Sequence, residues 1–381
     1  MKILQINASY KPAYIYGGPT MSVSKLSEEL VKAGCSVEVF TTAANGPAEL
    51  HVKLNEPIRV DGVTVRYFKR ITKDHSHFSP GLLKAVWSHA RDFDVVHIHA
   101  WWNLVSVLSC LLALIRKAPV IVSPRGTLSW YSFQNRNALY KRVIHGVLGK
   151  RLLKRCGLHA TSVREELALN GMLHPPIIFD LPNFVELSDS TTTERNWGGE
   201  LQLLFLSRIE EKKGLELLLQ ALSSVDTPWH LTIAGDGNKE YISGLKTLTL
   251  QHHISDRITW AGFQKEHKFD LIKSMHLLVL PSYDENFGNV VIECLSAGTP
   301  VLISTNVGLA AYVTKNELGW VCDLDSQDIS KNINTIAVQR DVLSKISRSS
   351  AEIIQRDFNG DVLVKKYIGM YQQYIDRDAA H

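Results

Sequence analysis

The stretch Leu277–Gly298 reads LLVLPSYDENFGNVVIECLSAG and contains one complete strand–loop–helix unit. Four apolar residues are followed by a polar loop and then by a helical pattern that opens at Gly288. A short, continuous apolar run bounded by turn residues is typical of a strand that is buried on both faces. Such a strand, followed by a helix, indicates a parallel sheet covered by helices.

The same strand–helix rhythm fills the rest of the chain, and one polar stretch interrupts it. Strands are predicted at Lys2–Ala8, Ser36–Thr42, Val95–His99, Val120–Pro124, His159–Ser162, Ile177–Leu181, Leu203–Ser207, His230–Ala234, Arg257–Trp260, Leu277–Pro281, Val301–Ser304 and Trp320–Cys322. Arg59–Phe68, around Asp61-Gly62, predicts an antiparallel hairpin. The interruption, Leu187–Gly199, has a Thr run and a Gly pair and is predicted to be a linker. We therefore expect an α/β protein of two doubly wound domains, with the ligand in the cleft between them at the strand carboxyl ends.

Length and composition agree with two globular domains. The 381 residues, 45% of them apolar, suffice for two full cores. The net charge of +4 hides an asymmetry, because residues 1–187 carry 23 Lys and Arg against 13 Asp and Glu, whereas residues 188–381 carry 19 against 25. The two halves are therefore expected to bind different partners. The overall surplus is too small to indicate nucleic-acid binding.

Three features indicate a cytoplasmic protein. Five cysteines without a C-x-x-C pair exclude a disulfide scaffold or a zinc ribbon and indicate a reducing compartment. The first residues, MKILQINAS, predict a strand and not the apolar region of a signal peptide. The longest apolar run, Leu104–Ile115, is interrupted by Ser106 and Ser109 and has 12 residues, fewer than the roughly 20 that span a bilayer.

Arg208 and Lys213 follow a predicted strand and precede Gly214, which opens a predicted helix. Two cations at a strand end suit a diphosphate, because Arg208 can form two parallel hydrogen bonds and Lys213 supplies a point charge. The alternative is a solvated charged loop. Gly235-Asp236-Gly237 ends another strand, where glycine lets the backbone approach a ligand, or simply forms a turn.

Gly17-Gly18 precedes the predicted helix Thr20–Lys32, where backbone N–H groups can approach an anion. The alternative is a simple helix-entry loop. Because the spacing is not G-x-G-x-x-G, a nicotinamide dinucleotide site is poorly supported.

Glu285 and Glu293 bracket the loop and the first turns of the helix in the opening stretch. Glu293 lies in the apolar segment VVIECLSAG, where an unpaired carboxylate would be costly. Asn286, Phe287 and Gly288 lie at the predicted helix N-terminus, where backbone N–H groups can meet a ligand. Because carboxylates accept hydrogen bonds from neighbouring hydroxyls, the two glutamates predict a sugar-binding site.

These residues together resemble the retaining nucleotide-sugar glycosyltransferases of family 4, which have the GT-B fold, and in particular the bacterial enzymes of polysaccharide and lipopolysaccharide synthesis. The resemblance covers essentially the whole chain and includes Leu181-Pro182-Asn183 before the linker. It implies an acceptor-binding domain over residues 1–187, a linker over 188–199 and a nucleotide-sugar domain over 200–355. It also implies that a final helix, at about 360–381, crosses back onto the first domain.

The resemblance assigns a role to each motif. Glu293 would hold the ribose hydroxyls, Glu285 the transferred sugar, and Arg208 and Lys213 the diphosphate, while the backbone of Gly262-Phe263 would meet the base. The predicted catalytic residues are Arg208, Lys213, Glu285 and His99. The predicted donor-binding residues are Gly17, Gly18, Arg125, Gly235, Gly262, Phe263, Asn286, Phe287, Gly288 and Glu293.

One position departs from the family pattern. Many relatives have a His in a P-H-G sequence, where this chain has Pro124-Arg125-Gly126. Because Arg stays protonated, it cannot act as a base, and we expect it to bind a donor phosphate or an acidic acceptor. His97 and His99 lie on the same side of a nearby strand. We expect His99 to face the cleft; the alternative is that both are structural.

No metal and no other cofactor is expected. Asp92-x-Asp94 and Asp323-x-Asp325 match the D-x-D pattern that some other glycosyltransferases use for a divalent ion, but neither adjoins the diphosphate residues in sequence. The cations at 208 and 213 can supply the positive charge instead.

A basic amphipathic segment is predicted at residues 138–154. Apolar residues alternate with Lys141, Arg142, Lys150, Arg151 and Lys154 in this segment, and Arg155 directly follows it. Two interpretations are open: a helix packed on its sheet, or a helix on an anionic membrane surface. The second would make the protein peripheral on the inner face of the membrane.

The function predicted from the resemblance is retaining transfer of a sugar from a UDP- or GDP-sugar to a glycan or lipid-linked glycan. The donor's own phosphate oxygen could take the acceptor proton, so no strong protein base is required. Two alternatives are a nucleotide-sugar 2-epimerase of the same fold and a protein that binds nucleotide sugars without turnover.

Overall fold

The computed structural model describes residues 1–129, 131, 145–189, 195–264 and 266–379. It divides into two compact units: unit 1 comprises Met1–Val185 and Gly360–His381, and unit 2 comprises Glu186–Asn359. The last helix of the chain therefore belongs to unit 1, although the whole of unit 2 separates it in sequence from the rest of that unit.

Unit 1 is built on a sheet with the strand order β10-β9-β8-β7-β1-β2-β6-β5. The strands of this unit are β1 Lys2–Ile6, β2 Ser36–Thr42, β3 Ala44–Asn45, β4 Ala48–Glu49, β5 Pro57–Val60, β6 Val63–Phe68, β7 Val95–His99, β8 Val120–Ser123, β9 Gly157–Ala160 and β10 Ile178–Asp180. The neighbours in the sheet pair in parallel except β5 and β6, which form the predicted hairpin. The short antiparallel pair β3–β4 was not predicted.

Helices cover this sheet, and polar residues cap several of them. The helices lie at Gly18–Lys32, Pro80–His89, Leu104–Ile115, Lys150–Leu153, Val163–Leu173 and Gly360–Ala379. Asn103 Oδ1 accepts a hydrogen bond from Ser106 N at 2.8 Å, and Ser162 Oγ accepts one from Glu165 N at 3.2 Å. Both side chains satisfy N–H groups that a helix start leaves without partners.

The predicted basic segment lies partly outside the described residues, which omit 138–144 and with them Lys141 and Arg142. In the described part, Leu152 and Leu153 are buried in the core of unit 1, while Lys150 and Arg151 are exposed. These two leucines therefore pack on the protein and do not form an apolar face toward solvent. Among the described residues, no helix is both long and apolar enough to cross a membrane.

Unit 2 is built on a fully parallel sheet with the order β13-β12-β11-β14-β15-β16. Its strands are β11 Leu201–Leu206, β12 Trp229–Ala234, β13 Ile258–Gly262, β14 Leu277–Leu280, β15 Val301–Ser304 and β16 Gly319–Cys322. Its helices are Leu215–Leu222, Lys239–Gln251, Lys268–Ser274, Asn289–Ser296, Ala310–Lys315, Ser326–Val338 and Arg340–Phe358. The α/β class with two doubly wound sheets is therefore confirmed.

The predicted linker is not a free spacer where the structure describes it, which excludes residues 190–194. Arg195 is largely buried and donates hydrogen bonds to the carbonyl oxygens of Lys273 and Ala297, both at 2.7 Å, and to Thr299 Oγ1 at 2.8 Å. Burial lowers the pKa of Arg195 to about 10. The sequence-based expectation is corrected here, because Arg195 satisfies carbonyl groups at the ends of two helices and so fastens the segment to unit 2.

Close approach of β15 and β16 gives a test of the packing in unit 2. A Cβ atom on Gly319 would lie 2.1 Å from the carbonyl oxygen of Val301, whereas a Cβ on Gly244, within the helix Lys239–Gln251, would meet nothing within 4 Å. We expect Gly319→Ala to lower the free energy of unfolding by about 1–3 kcal/mol. Gly244→Ala should be neutral or stabilise by about 0.5–1 kcal/mol. Urea unfolding measures both, and equal effects would contradict the packing.

Candidate functional site

The carboxyl ends of two central strands of unit 2 carry the main predicted residues. β12 and β13 lie on one side of β11, while β15 and β16 lie beyond β14, so the strand order reverses between β11 and β14. Ligands of open parallel sheets bind outside the strand ends at such a reversal. The loop after β11 carries Arg208 and Lys213, and the loop after β14 carries Glu285.

Backbone contacts join these loops. Ile209 N donates to the carbonyl oxygen of Asp236 at 2.8 Å, Gly235 N to that of Gly262 at 2.8 Å, and Tyr283 N to that of Lys212 at 2.9 Å. The ends of β11, β12, β13 and β14 therefore form one connected rim.

Glycine is required where the rim is tightest. A Cβ on Gly235 would lie 1.8 Å from the carbonyl oxygen of Ser207, and one on Gly214 would lie 2.1 Å from that of Pro281. Both glycines also have positive φ, 150° and 69°. Both turns thus have a structural role, which for Gly235 is the alternative that the sequence analysis gave, and its contact with a ligand stays a prediction.

Lys213 and Glu285 form a buried ion pair across the reversal. Lys213 Nζ donates to the Glu285 carboxylate, and the side chains are 10% and 20% exposed. Burial raises the pKa of Glu285, but Lys213, with Lys212 and Arg208, outweighs burial and holds the pKa below its usual value. Glu285 is therefore ionised at neutral pH, and the structure brings these two predicted catalytic residues together.

The other cations of the rim also have carboxylate partners. Lys212 Nζ lies 3.1 Å from Asp284 Oδ2, and Arg208 Nη2 lies 3.1 Å from Glu210 Oε1. Arg208 is 53% exposed, so its pair with Glu210 is readily exchanged for another anion. The sequence analysis predicted that Arg208 and Lys213 bind a diphosphate. In the structure, each of these cations, like Lys212, forms an ion pair with a carboxylate.

Glu293 faces a different lysine, which the sequence analysis missed. Lys268 Nζ lies 3.2 Å from Glu293 Oε1 and 3.2 Å from Glu186 Oε2. Burial raises the pKa of Glu293 above its usual value, and Lys268 only partly opposes this rise. The apolar surroundings of Glu293 were a signal that a cation must lie nearby, but they did not identify Lys268, which belongs to a separate helix.

The remaining predicted donor residues of unit 2 lie on the same strand-end loops. Phe263, directly after Gly262 at the end of β13, is 62% exposed. Phe287 is buried, and its ring packs edge-on against Phe358 with centroids 6.2 Å apart. The side chain of Phe287 is thus part of the core. Asn286 and Gly288 complete the loop before the helix Asn289–Ser296.

In unit 1, the predicted residues lie at the carboxyl ends of three adjacent strands. Gly17 and Gly18 precede or open the helix after β1, His99 ends β7, and Arg125 follows β8. Arg125 Nη1 donates to Ser22 Oγ at 3.0 Å and also to Asn183 Oδ1. The structure therefore brings Arg125 to the helix that starts at Gly18.

Arg125 is also the first donor of a buried hydrogen-bond chain. Arg125 Nε donates to His99 Nδ1 at 3.2 Å, and His99 Nε2 lies 2.6 Å from Gln5 Oε1. Because a guanidinium only donates, His99 Nδ1 must accept and the imidazole proton lies on Nε2.

The other end of the chain fixes the remaining directions, because the Leu181 carbonyl oxygen only accepts and each neutral imidazole or hydroxyl before it has one proton to donate. Each further group donates once onward: Gln5 Nε2 to Tyr371 OH at 3.2 Å, Tyr371 OH to His97 Nδ1 at 2.8 Å, His97 Nε2 to Ser123 Oγ at 2.6 Å, Ser123 Oγ to His159 Nδ1 at 2.5 Å, and His159 Nε2 to the Leu181 carbonyl oxygen at 2.9 Å. The chain thus connects the last helix of the protein, through Tyr371, with the segment before unit 2.

The prediction that His99 is catalytic and faces the cleft is corrected by this network. His99 is fully buried, and both ring nitrogens have protein partners. Burial, with the charge of Arg125 nearby, holds the pKa values of His97 and His99 well below the usual range. His99 is therefore a neutral residue that positions Arg125, and the structural alternative is the correct one.

The two D-x-D sequences have structural roles. The Asp94 carboxylate accepts a hydrogen bond from Lys2 N at 2.7 Å, and Asp325 Oδ2 accepts one from Asp328 N at 3.0 Å at a helix start. Within the described ranges, no group of three or more His, Cys, Asp or Glu side chains could hold a metal ion. Metal independence of the reaction stays a prediction.

Comparisons with known proteins identify the family to which the chain is similar. A model described as "Glycosyl transferase 4-like domain" matches residues 17–166, and one described as "Glycosyl transferases group 1" matches residues 192–352. The chain is 24% identical over 402 residues to an uncharacterized glycosyltransferase of Methanocaldococcus jannaschii, covering 98% of each chain. It is 26% identical over 341 residues to a D-inositol 3-phosphate glycosyltransferase of Pseudarthrobacter chlorophenolicus, covering 81% of this chain and 78% of that one.

Among solved structures, Anabaena HepE in complex with UDP-glucose superposes with a TM-score of 0.78 at 18% identity, covering 98% of this chain and 100% of that one. Two Rossmann-like units with charged residues at the strand ends, matched over this length, define a protein of the GT-B fold. The chain belongs to the glycosyltransferases of the family 4 type. The resemblance seen in the sequence is thereby confirmed.

The buried histidines predict a pH-dependent stability. A histidine whose pKa is lowered by folding takes up a proton on unfolding, so the stability present above its ordinary pKa is lost as the pH falls. Burial lowers the pKa of His159 to about 3. Between pH 7.5 and 5.5, His159 alone should therefore reduce the free energy of unfolding by about 1.4 kcal/mol.

Urea unfolding at the two pH values tests this expectation. The fall in stability should be about 1.4 kcal/mol smaller in His159→Gln than in the wild type. The control His51→Gln, at an exposed position of unit 1, should leave the fall unchanged. The same fall in His159→Gln and wild type would show that folding does not lower the pKa of His159.

Proposed function

We propose that the protein is a retaining glycosyltransferase that moves a sugar from a UDP- or GDP-sugar to a glycan or lipid-linked glycan during cell-surface polysaccharide synthesis. The observation that carries the proposal is the buried Lys213–Glu285 pair at the strand-order reversal of unit 2. It places an ammonium and an ionised carboxylate side by side where an open parallel sheet binds its ligand.

This pair suits the two ends of a sugar–phosphate bond. An ammonium has three N–H donors, so Lys213 can hold Glu285 and a phosphate oxygen together. The carboxylate of Glu285 accepts hydrogen bonds from sugar hydroxyls and favours positive charge that develops on the sugar as the phosphate leaves. Arg208, which is half-exposed and only weakly held by Glu210, would turn to the diphosphate.

Glu293 suits the ribose of the donor. Lys268 holds its carboxylate on one side, and a carboxylate retains further lone pairs that can accept hydroxyl hydrogen bonds. The solved Anabaena relative contains UDP-glucose, which supports a nucleotide-sugar donor here. We propose the donor phosphate as the acceptor of the proton, since the histidines of the unit 1 network are neutral and engaged on both nitrogens.

Donor binding is the first test. Calorimetry with UDP- and GDP-sugars should find one donor that binds the wild type and binds Glu293→Gln less well by roughly 1–2 kcal/mol, because a charged acceptor of hydroxyl hydrogen bonds is lost. Glu352→Gln, which removes an exposed carboxylate from the helix Arg340–Phe358, is the matched control and should bind as the wild type does. An unchanged dissociation constant for Glu293→Gln would refute its assignment.

The same donor, incubated alone and then with a glycan acceptor, separates the candidate functions. A transferred sugar with the donor's anomeric configuration supports the proposal, an epimerised nucleotide sugar supports a 2-epimerase, and binding without product supports a non-catalytic protein. Because the rim cations are expected to replace a divalent ion, the product should also form in excess EDTA.

Arg208 should act on turnover more than on folding. Extra negative charge builds on the diphosphate as the sugar leaves, so a guanidinium bound to the diphosphate stabilises the transition state more than the ground state. Arg208→Ala should lose about 10²–10³ in turnover at saturating donor, and Arg208→Lys should recover part of it. The melting temperature should stay near that of the wild type, because Arg208 is half-exposed. Steady-state rates within a few-fold of wild type would reduce Arg208 to a solvated loop charge.

A further inference from the structure

Arg125 carries a positive charge that no carboxylate in the described part of the chain contacts directly. Its partners are the neutral groups His99 Nδ1, Ser22 Oγ and Asn183 Oδ1, and none of the ion pairs found among the described residues includes it. The carboxylate of Glu165 also influences this charge but forms no ion pair with it, and it accepts hydrogen bonds from Gly126 N at 2.6 Å and from Thr161 N at 2.9 Å. The cations in the rim of unit 2, by contrast, are all paired.

The charge is retained despite its surroundings. Burial lowers the pKa of the Arg125 guanidinium, but an arginine remains protonated under all ordinary conditions. Arg125 is partly buried, and a charge that is partly removed from water without a directly bonded counter-ion is costly. Arg125 also has φ of 53°, in the left-handed region that side chains other than glycine rarely adopt. Both features cost free energy, which is typical of residues at functional sites.

Hydrogen bonds from Nε and Nη1 hold the guanidinium of Arg125 in one orientation, and its Nη2 group can bind a ligand. Nε is directed at His99 by the buried hydrogen-bond chain, and Nη1 is directed at Ser22 and Asn183. Nη2, which carries two N–H groups, has no hydrogen-bond partner in the described part of the chain. A ligand acceptor at this edge would meet a donor that needs no reorientation.

A second source of positive potential lies beside Arg125. Ser22 belongs to the first turns of the helix Gly18–Lys32, whose N-terminus is preceded by Gly17 with φ of 63°. The N-terminus of a helix favours a negative charge, and the guanidinium is 3.0 Å from Ser22 Oγ. Two positive groups thus lie together in unit 1, and an anion would offset both.

We propose that Arg125 binds a phosphate group of a substrate through Nη2, beside the start of the helix Gly18–Lys32. A phosphate oxygen accepts charge-assisted hydrogen bonds from the planar guanidinium, and the phosphate charge balances the arginine and the helix terminus together. This assignment rests on the proposed function and extends it. The phosphate belongs either to the diphosphate of the donor or to the acceptor, and the two sources can be separated.

The test uses calorimetry on the full chain. The variants are Arg125→Gln, which removes the charge, Arg125→Lys, which keeps the charge without the fork, and the control Arg59→Gln, which removes one charge from the exposed hairpin of the same unit. The probes are UDP against uridine, GDP against guanosine, and inorganic phosphate added to the chain already saturated with the nucleotide.

Two results support the proposal. If Arg125 binds the donor, Arg125→Gln should bind the diphosphate nucleotide at least about tenfold more weakly and the nucleoside as the wild type does, as expected for loss of a charge-assisted contact. If it binds the acceptor, nucleotide affinity should be unchanged, and inorganic phosphate should bind the nucleotide-saturated wild type but not Arg125→Gln. Arg125→Lys should be intermediate in either case, and Arg59→Gln should match the wild type.

Two other results overturn it. Equal affinities of wild type and Arg125→Gln for nucleotide and phosphate would show that Arg125 binds neither. Equal weakening for nucleotide and nucleoside, together with a large fall in melting temperature, would show a structural role. If Arg125→Gln does not fold, the ratio of nucleotide to nucleoside affinity in Arg125→Lys decides between binding and structure.

Failure of this inference differs from failure of the proposed function. A wild type that binds neither UDP nor GDP refutes the nucleotide-sugar donor, whereas inorganic phosphate on the nucleotide-free chain still tests Arg125. A wild type that binds a nucleotide, with Glu293→Gln weakened and Arg125→Gln unaffected for both nucleotide and phosphate, refutes only the role of Arg125.

Discussion

Close contact between the backbones of neighbouring loops is the constraint on which the candidate site depends. Parallel strands deliver their loops to one edge of the sheet, but they do not determine how near those loops come. In unit 2, Gly214 and Gly235 let carbonyl groups of the adjacent loops enter the space that a side chain would fill. Backbone hydrogen bonds then fix the loops that carry Arg208, Lys213 and Glu285 relative to one another. Without this contact, the loops that carry these residues would not be held in a fixed arrangement.

The two units treat buried charge in opposite ways. Unit 2 balances it internally, so Lys213 meets Glu285 and Lys268 meets Glu293. An ion pair of this kind is weak evidence for stability, because the cost of desolvation is close to the Coulomb gain, but it holds both side chains in place. In unit 1, Arg125 has no directly bonded carboxylate, and a buried hydrogen-bond network orients its guanidinium. A ligand can replace one partner of an ion pair in unit 2, whereas the guanidinium of Arg125 can bind an anion without displacing a carboxylate.

Periodicity predicted the elements of this fold well, and it could not predict which side chains meet. The strands Ser36–Thr42, Val95–His99 and Val301–Ser304 have the predicted bounds, since a strand buried on both faces leaves a continuous apolar run in the sequence. Lys268 was missed because its partner Glu293 belongs to another helix, and no local pattern links the two. The position of Arg195 was missed for the same reason, because a polar segment resembles a linker until its long-range acceptors are known. His99 was misassigned because alternation places a side chain on a face of the sheet without showing that Gln5 and Arg125 occupy both ring nitrogens there.

The buried chain also limits the chemistry that unit 1 can contribute. The two ends of the chain fix its direction, because the guanidinium of Arg125 only donates and the carbonyl oxygen of Leu181 only accepts. His97, His99 and His159 are therefore each held with the proton on Nε2 and with Nδ1 occupied. A general base needs a lone pair within reach of the substrate proton, and these imidazoles offer none. Any contribution of these residues to catalysis must then be electrostatic and must act through the orientation of Arg125. That conclusion agrees with a reaction in which the leaving phosphate, stabilised by cations, takes the acceptor's proton.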